Sequence, residues 1–567
     1  MLNTKILFMY PLEGIKKLTR GFVVLLFPVV QIMFAGCSAP GESSGKIDVR
    51  IWDENNQLTA ARIRITNMDG IYLAPVGHQV DFPMTTSGDQ ESIEKDVILD
   101  NDRRFAYVDG EFQIAITADS FRIEVVKGFR YKIFDDSLYL GNYPGGIDIY
   151  LNIAFDDLPE DQWYTGDVHV HHINVETALL EMKAEDLNVC NLLISDFTRD
   201  HQNFKGMIEP ASDPEHLVFY SQEYRENRLG HINLLNLTEK LIEPSVEQRT
   251  HQYPLNIDAM DEAHAQGGHV SWAHFAAWPG LEGPLGIILK KVDAIELLCT
   301  IDPFHEPIFV SDVVPEVRMN SGLKLWYRLL NCGFKIPITA GTDKMGNFVT
   351  VGANRVYAQV EGDFNYENWI DALNEGRTFV SNSPFLSFKV DNKPPGSILE
   401  GSSNKGHRLQ AEVWSQMPID RLEIIANGEL VAEVSIPEGA FHAAIDIKYQ
   451  TEESVWLAAR AYQLTQKDTR NGLSMSQRRN SGGGPTYLNR YYGTLRPEVT
   501  FSHTSPVYIQ IEGQPVRSRD DANYFVRYLQ NVINWLDESG SFPTEEAKQE
   551  VLKAFEQGKQ GFAALAK

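Results

Sequence analysis

Hydrophobic and polar positions fall into a different pattern in each part of the chain. Over 46–152 they alternate: "KIDVRIWDENNQLTAARIRIT" does so on either side of a turn at "DENNQ", and "GEFQIAITADSFRIEVVKG" around "TADS". A period of two belongs to half-buried strands, and several short ones in series predict a β-sandwich over 46–158. From 159 to 380 strand-like and helix-like runs take turns. "GDVHVH" leads to a helical "ETALLEMKAEDLN" and then to the strand "VCNLLISDF". "HLVFYSQEY" is another strand, and the helix "NIDAMDEAHAQGG" closes on glycine before "HVSWAHF". "VDAIELL", a helical "LKLWYRLLNCG", "KIPITAGTD" and a last helix "YENWIDALNEGR" continue the series. Alternating β and α segments predict a parallel sheet or barrel. Strand texture returns over 381–512, with a hairpin turn at Asn427-Gly428 inside "RLEIIANGELVAEVSI" and a loop "SGGGP" at 481–485. The segment 513–567 is helical, and Tyr524, Phe525, Tyr528, Leu529, Val532 and Leu536 form one apolar stripe that requires a partner surface.

Composition narrows the classes. The 567 residues are 43% hydrophobic, with nine Trp and 29 Phe, enough for real cores and not a disordered chain. The formal charge of -26 repels phosphate backbones and excludes nucleic acid as a partner. Lys5, Lys16, Lys17 and Arg20 precede the apolar stretch "GFVVLLFPVVQIMFA" at 21–35. That stretch contains Pro28 and falls short of the roughly 20 residues a spanning helix needs, so it reads as a signal-peptide core. It ends in "FAGC", and the polar linker "SAPGESSGK" follows. This resembles a bacterial lipoprotein signal over 1–37, with Cys37 lipidated as the first mature residue, a linker at 38–45 and a membrane anchor as the result. Phe34 stands where leucine is usual, and an ordinary cleaved signal, giving a soluble exported protein, is the alternative. Cys190, Cys299 and Cys332 are odd in number, sit in or beside apolar segments and lack C-x-x-C spacing. They read as small buried hydrophobes, neither a disulfide framework nor zinc ligands.

Candidate chemistry begins with "YTGDVHVHH" at 164–172. Strand alternation puts His169 and His171 on one face, where an H-x-H pair grips a single ion; His172 falls on the other face and reads as packing. Further ligand-type residues recur at strand ends of the same region. Asp196 follows "CNLLIS", Glu223 closes "LVFYSQ", His231 opens "GHINLLNL", His274 closes "GGHVSWA" and Asp343 follows "IPITAGT". In a barrel of parallel strands the site lies at the carboxyl ends. Arg225 and Lys344 sit beside proposed ligands, where either holds an anionic group of substrate or stabilises an oxyanion. Glu296, at the end of "VDAIE", His269 and Asp196 are candidates for orienting ligands from behind. His503 in "FSHTSPVY" reads as domain packing.

The ordered series "GDVHVHH", "SQEYRENRLGHINLLNL", "GGHVSWAHF", "VDAIELL", "IPITAGTD", "ALNEGRTFVSNSPFLSFKV" and "FSHTSPVYIQIEG" resembles the PHP-type metallohydrolases (the polymerase-and-histidinol-phosphatase superfamily). Within them it is similar to the CehA/McbA, carbaryl-hydrolase-like branch. The resemblance covers nearly all of the mature chain. It implies a distorted (β/α)7 barrel flanked by two β-sandwiches, with a C-terminal helical tail. It also implies a ligand set: His169, His171 and Asp343 on one divalent ion, with Glu223 bridging to a second held by His231 and His274. Mixed imidazole and carboxylate donors suit zinc, manganese or iron. A third ion, which many PHP proteins carry, would draw on positions occupied here by Glu176, Phe197 and Met345. Two of those three are not ligands, so two ions at most are expected. The implied function is an exported hydrolase in which two ions share one hydroxide and Asp343 accepts its proton. The substrate is a small molecule or glycan with an ester, carbamate, amide or phosphoester bond. The alternative is a degenerate, metal-containing barrel that binds a cell-surface ligand or glycan. The sequence does not set the oligomeric state.

Overall fold

The computed structural model describes residues 45–78, 96–99, 103–115, 118–159, 162–195, 201–243, 251–276, 278–299, 303–304, 310–402, 406–437, 439–463 and 500–567. The signal segment with Cys37, and Asp196 with Phe197, lie outside them. The described chain is mixed α/β, with several sheets, the largest curled into a half-barrel, and few helices. No helix among the described residues is long and apolar enough to cross a membrane.

The alternating N-terminal region folds as two sheets. The first holds β1 (Lys46–Trp52), β5 (Glu111–Ala115) and β8 (Ile147–Tyr150). The second runs β3 (Asp96–Leu99), β4 (Arg103–Val108), β2 (Ala61–Asn67), β6 (Ser120–Val126), β7 (Phe134–Tyr139). Their inward positions, among them Val49, Ile51, Ile63, Ile65, Ile123 and Val125, share one core.

The middle region supplies β9 (Trp163–Val170), β10 (Val189–Ile194), β11 (Leu217–Glu226), β12 (Gly230–Leu235), β13 (His269–Trp272), β14 (Ala294–Leu298) and β15 (Ile338–Ala340) in sequential order. Strands β9, β10 and β11 are parallel, and so are β13, β14 and β15; β12 is antiparallel to both its neighbours. Strand β10, "VCNLLI", is buried throughout, as a strand covered on both faces must be. The sheet curls until the segment after β15 returns to β9. A parallel bridge joins Val170 to Lys344, and the His171 amide donates to the Lys344 carbonyl at 3.0 Å.

Helices lie outside this sheet: α1 (Val175–Glu185), α2 (Asn256–Ala265), α3 (Gly283–Ile288), α4 (Gly322–Asn331) and α5 (Tyr366–Asn374). Asn174 caps α1 by accepting from the Thr177 amide, and Asp186 ends it in the left-handed region at φ 55°. Trp369 of α5 lies so close to β9 that a Cβ on Gly166 would sit 2.2 Å from its ring, which accounts for glycine in "TGDVHV". Two long helices, α6 (Arg519–Ser539) and α7 (Glu545–Leu565), close the chain. The apolar stripe of α6 is buried over all six positions and joins the core of the curled sheet together with Val551, Phe555 and Phe562 of α7. Burial of that size is worth roughly 1.5–3 kcal/mol per large side chain.

The curled sheet does not stop at β9. It continues through β16 (Arg355–Gln359) and β17 (Thr378–Ser381) into strands from far along the chain, in the order β25 (Phe501–Thr504), β24 (Val455–Tyr462), β21 (Arg421–Ala426) and β22 (Glu429–Ser435). Alongside run β19 (Ile398–Gly401) and β26 (Val507–Ile511), parallel to each other. A separate sheet of β18 (Phe385–Val390), β20 (Gly406–Trp414) and β23 (His442–Gln450) shares a core with them. The turn between β21 and β22 is Asn427-Gly428, both with positive φ, as that hairpin type demands. His503 of β25 meets Tyr327 of α4 at 2.6 Å and so fills the packing role read for it.

Candidate metal centre

The parallel strands bring their carboxyl ends to one place, and four imidazoles meet two carboxylates there. His169 is the penultimate residue of β9 and His171 follows its end. Their Nε2 atoms are 3.1 Å apart, and Asp343 Oδ1, three residues past β15, lies 3.4 Å and 3.8 Å from them. Glu223, on β11, puts Oε1 2.9 Å from His231 Nδ1 and 3.6 Å from His274 Nε2, which are themselves 3.2 Å apart. The same carboxylate stands 3.7 Å from His169 Nε2 and 3.3 Å from His171 Nε2, so it touches both halves. His169–His171–Asp343 and Glu223–His231–His274 are each a group able to hold a metal ion.

Proton bookkeeping sharpens that statement. His171 Nδ1 faces the Leu193 carbonyl at 2.8 Å, which only accepts, so the ring proton is on Nδ1. His169 Nδ1 faces Glu296 Oε2 at 3.1 Å, which places its proton likewise. The two Nε2 atoms then face each other across 3.1 Å with carboxylate oxygens alongside, an arrangement that a proton on one of them or a cation between them makes favourable. Two nitrogens on one ion at about 2.0–2.1 Å each are separated by roughly this distance. His231 turns Nδ1 towards the centre, 2.9 Å from Glu223 Oε1, while its buried Nε2 has no hydrogen-bond partner among the described residues. The residues thus fit the ions that the sequence implies.

The electrostatics agree. Burial disfavours an imidazolium at His169, but Glu296 and Asp343 outweigh it and hold the group well above its ordinary pKa: these carboxylates demand positive charge. Burial also opposes ionisation of Glu223, yet Arg225, His231, His169 and His171 keep it well below the usual carboxylate range. His231 is pushed down to about 4 by burial and stays neutral, as a ligand should. Backbone geometry marks the same spot. His274 (φ 34°), Asp343 (φ 46°) and His172 (φ 58°) are non-glycine residues in the left-handed region, a conformation that costs about 1–3 kcal/mol and persists where the surroundings impose it. Gly341 is needed for room: a Cβ there would lie 2.5 Å from both Glu296 Oε1 and His169 Cβ.

The remaining sequence candidates divide. Glu296 lies behind His169 and His274, accepting from the His274 amide at 2.6 Å and facing His169 Nδ1 at 3.1 Å. Arg225, two residues beyond Glu223 on the same strand face, places Nη1 3.4 Å from Glu223 Oε2 and remains partly exposed at the rim. Lys344 does not serve the centre directly. Side chains of consecutive residues point apart, and its ammonium is buried against Glu181 Oε2 at 3.4 Å and the Val349 carbonyl. His269 is also displaced: it begins β13, at the opposite end from His274, and binds Asn374 Oδ1 at 2.6 Å.

Two residues escaped the sequence reading, Asp167 and Trp278. Asp167, on the same face of β9 as both histidines, accepts from the amides of His169, Thr342 and Gly352 and from Thr342 Oγ1, tying β9 to the Asp343 loop. Burial lifts it to about 6 despite those four donors. Its signal was present, since alternation aligns 167, 169 and 171. Trp278 walls the second half, 4.4 Å from His231 and stacked on His274 at 5.7 Å between ring centroids. Cys299 lies within ligand reach of His169 and Glu296. Burial, then Glu296, push its thiol far up, so it stays a protonated packing group. All three cysteines outside the signal segment are free and buried, as read. No protein-family model matches the chain, and no curated protein does.

Proposed function

We propose that the chain is an exported two-metal hydrolase of the PHP type, of the carbaryl-hydrolase-like branch, with a barrel set between two β-sandwiches. One observation carries the reading: the Glu223 carboxylate stands between His169, His171 and Asp343 on one side and His231 and His274 on the other. Two divalent ions held there would polarise a scissile carbonyl or phosphoryl group and acidify water. The protein's own residues do the rest. Asp343 is 21% exposed at its side chain while His169, His171 and Glu223 are at most 2%, so it is the ligand that meets incoming water and accepts its proton. Arg225 holds the anionic group of the substrate or its developing oxyanion at the rim. Glu296 and Asp167 fix His169, and the Trp278 indole excludes water from the second half.

Elemental analysis of the purified chain should give two ions of zinc, manganese or iron. A panel of ester, carbamate, amide and phosphodiester substrates, tested with those metals, should show turnover that a chelator abolishes. Bound ions with no turnover on the whole panel would turn the reading towards a metal-containing binding protein. Export and anchoring are tested separately. Cys37→Ala should release the mature chain from the membrane fraction or leave the precursor uncut; unchanged fractionation would leave a plain cleaved signal in its place.

A further inference from the structure

Helix α1 carries two buried carboxylates one turn apart, Glu181 and Glu185, on the same face. Glu185 Oε1 is held by Arg62 Nε of β2 at 2.6 Å and by the Tyr107 hydroxyl of β4 at 3.0 Å. Glu181 Oε2 is held by Lys344 Nζ at 3.4 Å and by the Val351 amide at 3.2 Å. Both ion pairs are almost completely buried. Arg355 fastens the end of the same helix, donating to the Glu185 carbonyl at 3.0 Å. Lys344 is covalently next to Asp343. Its own backbone is laced to the H-x-H strand, with its carbonyl taking the His171 amide at 3.0 Å and its amide reaching the His169 carbonyl at 3.4 Å.

Buried ion pairs are poor stabilisers: apolar replacements of similar volume are often neutral or better, so a pair kept inside a fold points to placement of something else. Here that something is Asp343, which sits in a left-handed backbone conformation one residue from the anchored ammonium. We propose that Lys344 and Glu181 are positioning residues for the ion held by His169, His171 and Asp343. Through Glu185 and Arg62 the N-terminal sheets become part of that site's framework. The inference rests on the two-metal reading and adds residues that touch neither substrate nor ion.

The test compares wild type, Lys344→Met, Arg62→Met and the double variant Glu181→Leu/Lys344→Met in stepwise zinc and manganese binding by chelator competition. Lys344→Met should weaken one of the two stepwise constants by about 10–100-fold, the usual consequence of losing an orienting partner, and leave the other nearly unchanged. Arg62→Met should weaken the same constant by less. The double variant removes both charges and leaves no unpaired buried charge, although the Val351 amide loses its acceptor, so its metal-free melting temperature should fall less than that of Lys344→Met while the same constant remains weakened. Wild-type constants in the double variant, or equal weakening of both ions in Lys344→Met in step with a fallen melting temperature, would overturn the proposal. If wild type binds no ion, the functional reading fails by itself, and hydrogen exchange on the metal-free full chain decides the positioning. Faster exchange over 341–352 in the double variant, with 217–226 unchanged, supports it; no change over 341–352 overturns it.

Discussion

Glu223→Gln should strip both ions from the chain and abolish turnover, whereas His274→Ala should weaken one ion and leave the other bound. The two substitutions differ in charge and in reach. Two divalent ions a few ångströms apart repel roughly four times as strongly as two unit charges at that distance, and a shared carboxylate offsets this where a neutral amide does not. Glu223 is the only carboxylate among the described ligands with oxygens within 4.0 Å of all four imidazoles. His274 belongs to one half. Metal affinity should fall by roughly 100-fold or more for Glu223→Gln at both sites, read as ions per chain after gel filtration. Glutamine is nearly isosteric but gives up the charge that Arg225 and the imidazoles stabilise, so the metal-free protein should melt lower while still folding, and metal content is read on the folded fraction. Unchanged metal content in Glu223→Gln would remove the bridge and the two-ion arrangement with it.

The second large effect is acid lability seated outside the candidate metal centre. His503 of β25 is fully buried; its Nδ1 donates to the Thr504 carbonyl at 2.8 Å, so Nε2 accepts from the Tyr327 hydroxyl at 2.6 Å. Tyr327 stays protonated, since burial raises it to about 12. The charged groups facing this pair are Arg460, whose Nη1 is 3.4 Å from the Tyr327 oxygen, and Glu423, which binds Arg460. Burial, with Arg460 adding to it against the Thr504 bond, depresses His503 to about 3. The unfolded chain titrates this residue near 6.5. Stability from its neutral form is therefore fully present above pH 6.5 and is lost progressively as pH falls towards 3, because the unfolded state binds the extra proton. At pH 4.5 the loss is about 3 kcal/mol, from roughly 1.4 kcal/mol for each unit below 6.5. Denaturant titrations at pH 7.5 and 4.5 should show it in wild type. His503→Gln should shrink the difference by most of that amount, even though it costs stability at pH 7.5. An undiminished difference would assign the acid lability to other groups.

Most of the candidate centre was legible because its chemistry sits where strand geometry makes local pattern informative. Alternation set His169 and His171 on one face, and the carboxyl-end rule gathered Glu223, His274 and Asp343. The misreadings share a cause. Lys344 was judged by its neighbour in sequence, but its side chain leaves the backbone on the other side from Asp343. His269 and His274 flank the same short strand, and only direction along it separates the ligand from the bystander. Glu181 and Glu185 are not singled out by the helical pattern of "ETALLEMKAEDLN"; their burial depends on Arg62 and Lys344, which are distant in sequence. The helical stripe of α6 was readable to the residue, since a period near 3.6 needs no knowledge of its partner. The pairing of β17 with β25 was not, because nothing local marks which edge a strand will join across more than a hundred residues.

That last pairing bears on how the molecule moves. An uninterrupted backbone ladder runs from β15 through β9, β16 and β17 into β25, β24 and β21. Clamshell opening between these halves would have to tear the Phe379–Thr504, Val380–His503 and Ser381–Ser502 pairs from a fully buried seam. Such a seam opens only at the cost of buried backbone pairs, and it gives the chain no hinge there. A ligand of the proposed centre would then be admitted without parting the two halves. Selectivity in this chain should consequently evolve by loop replacement, while the ladder beneath passes unchanged from one specificity to the next.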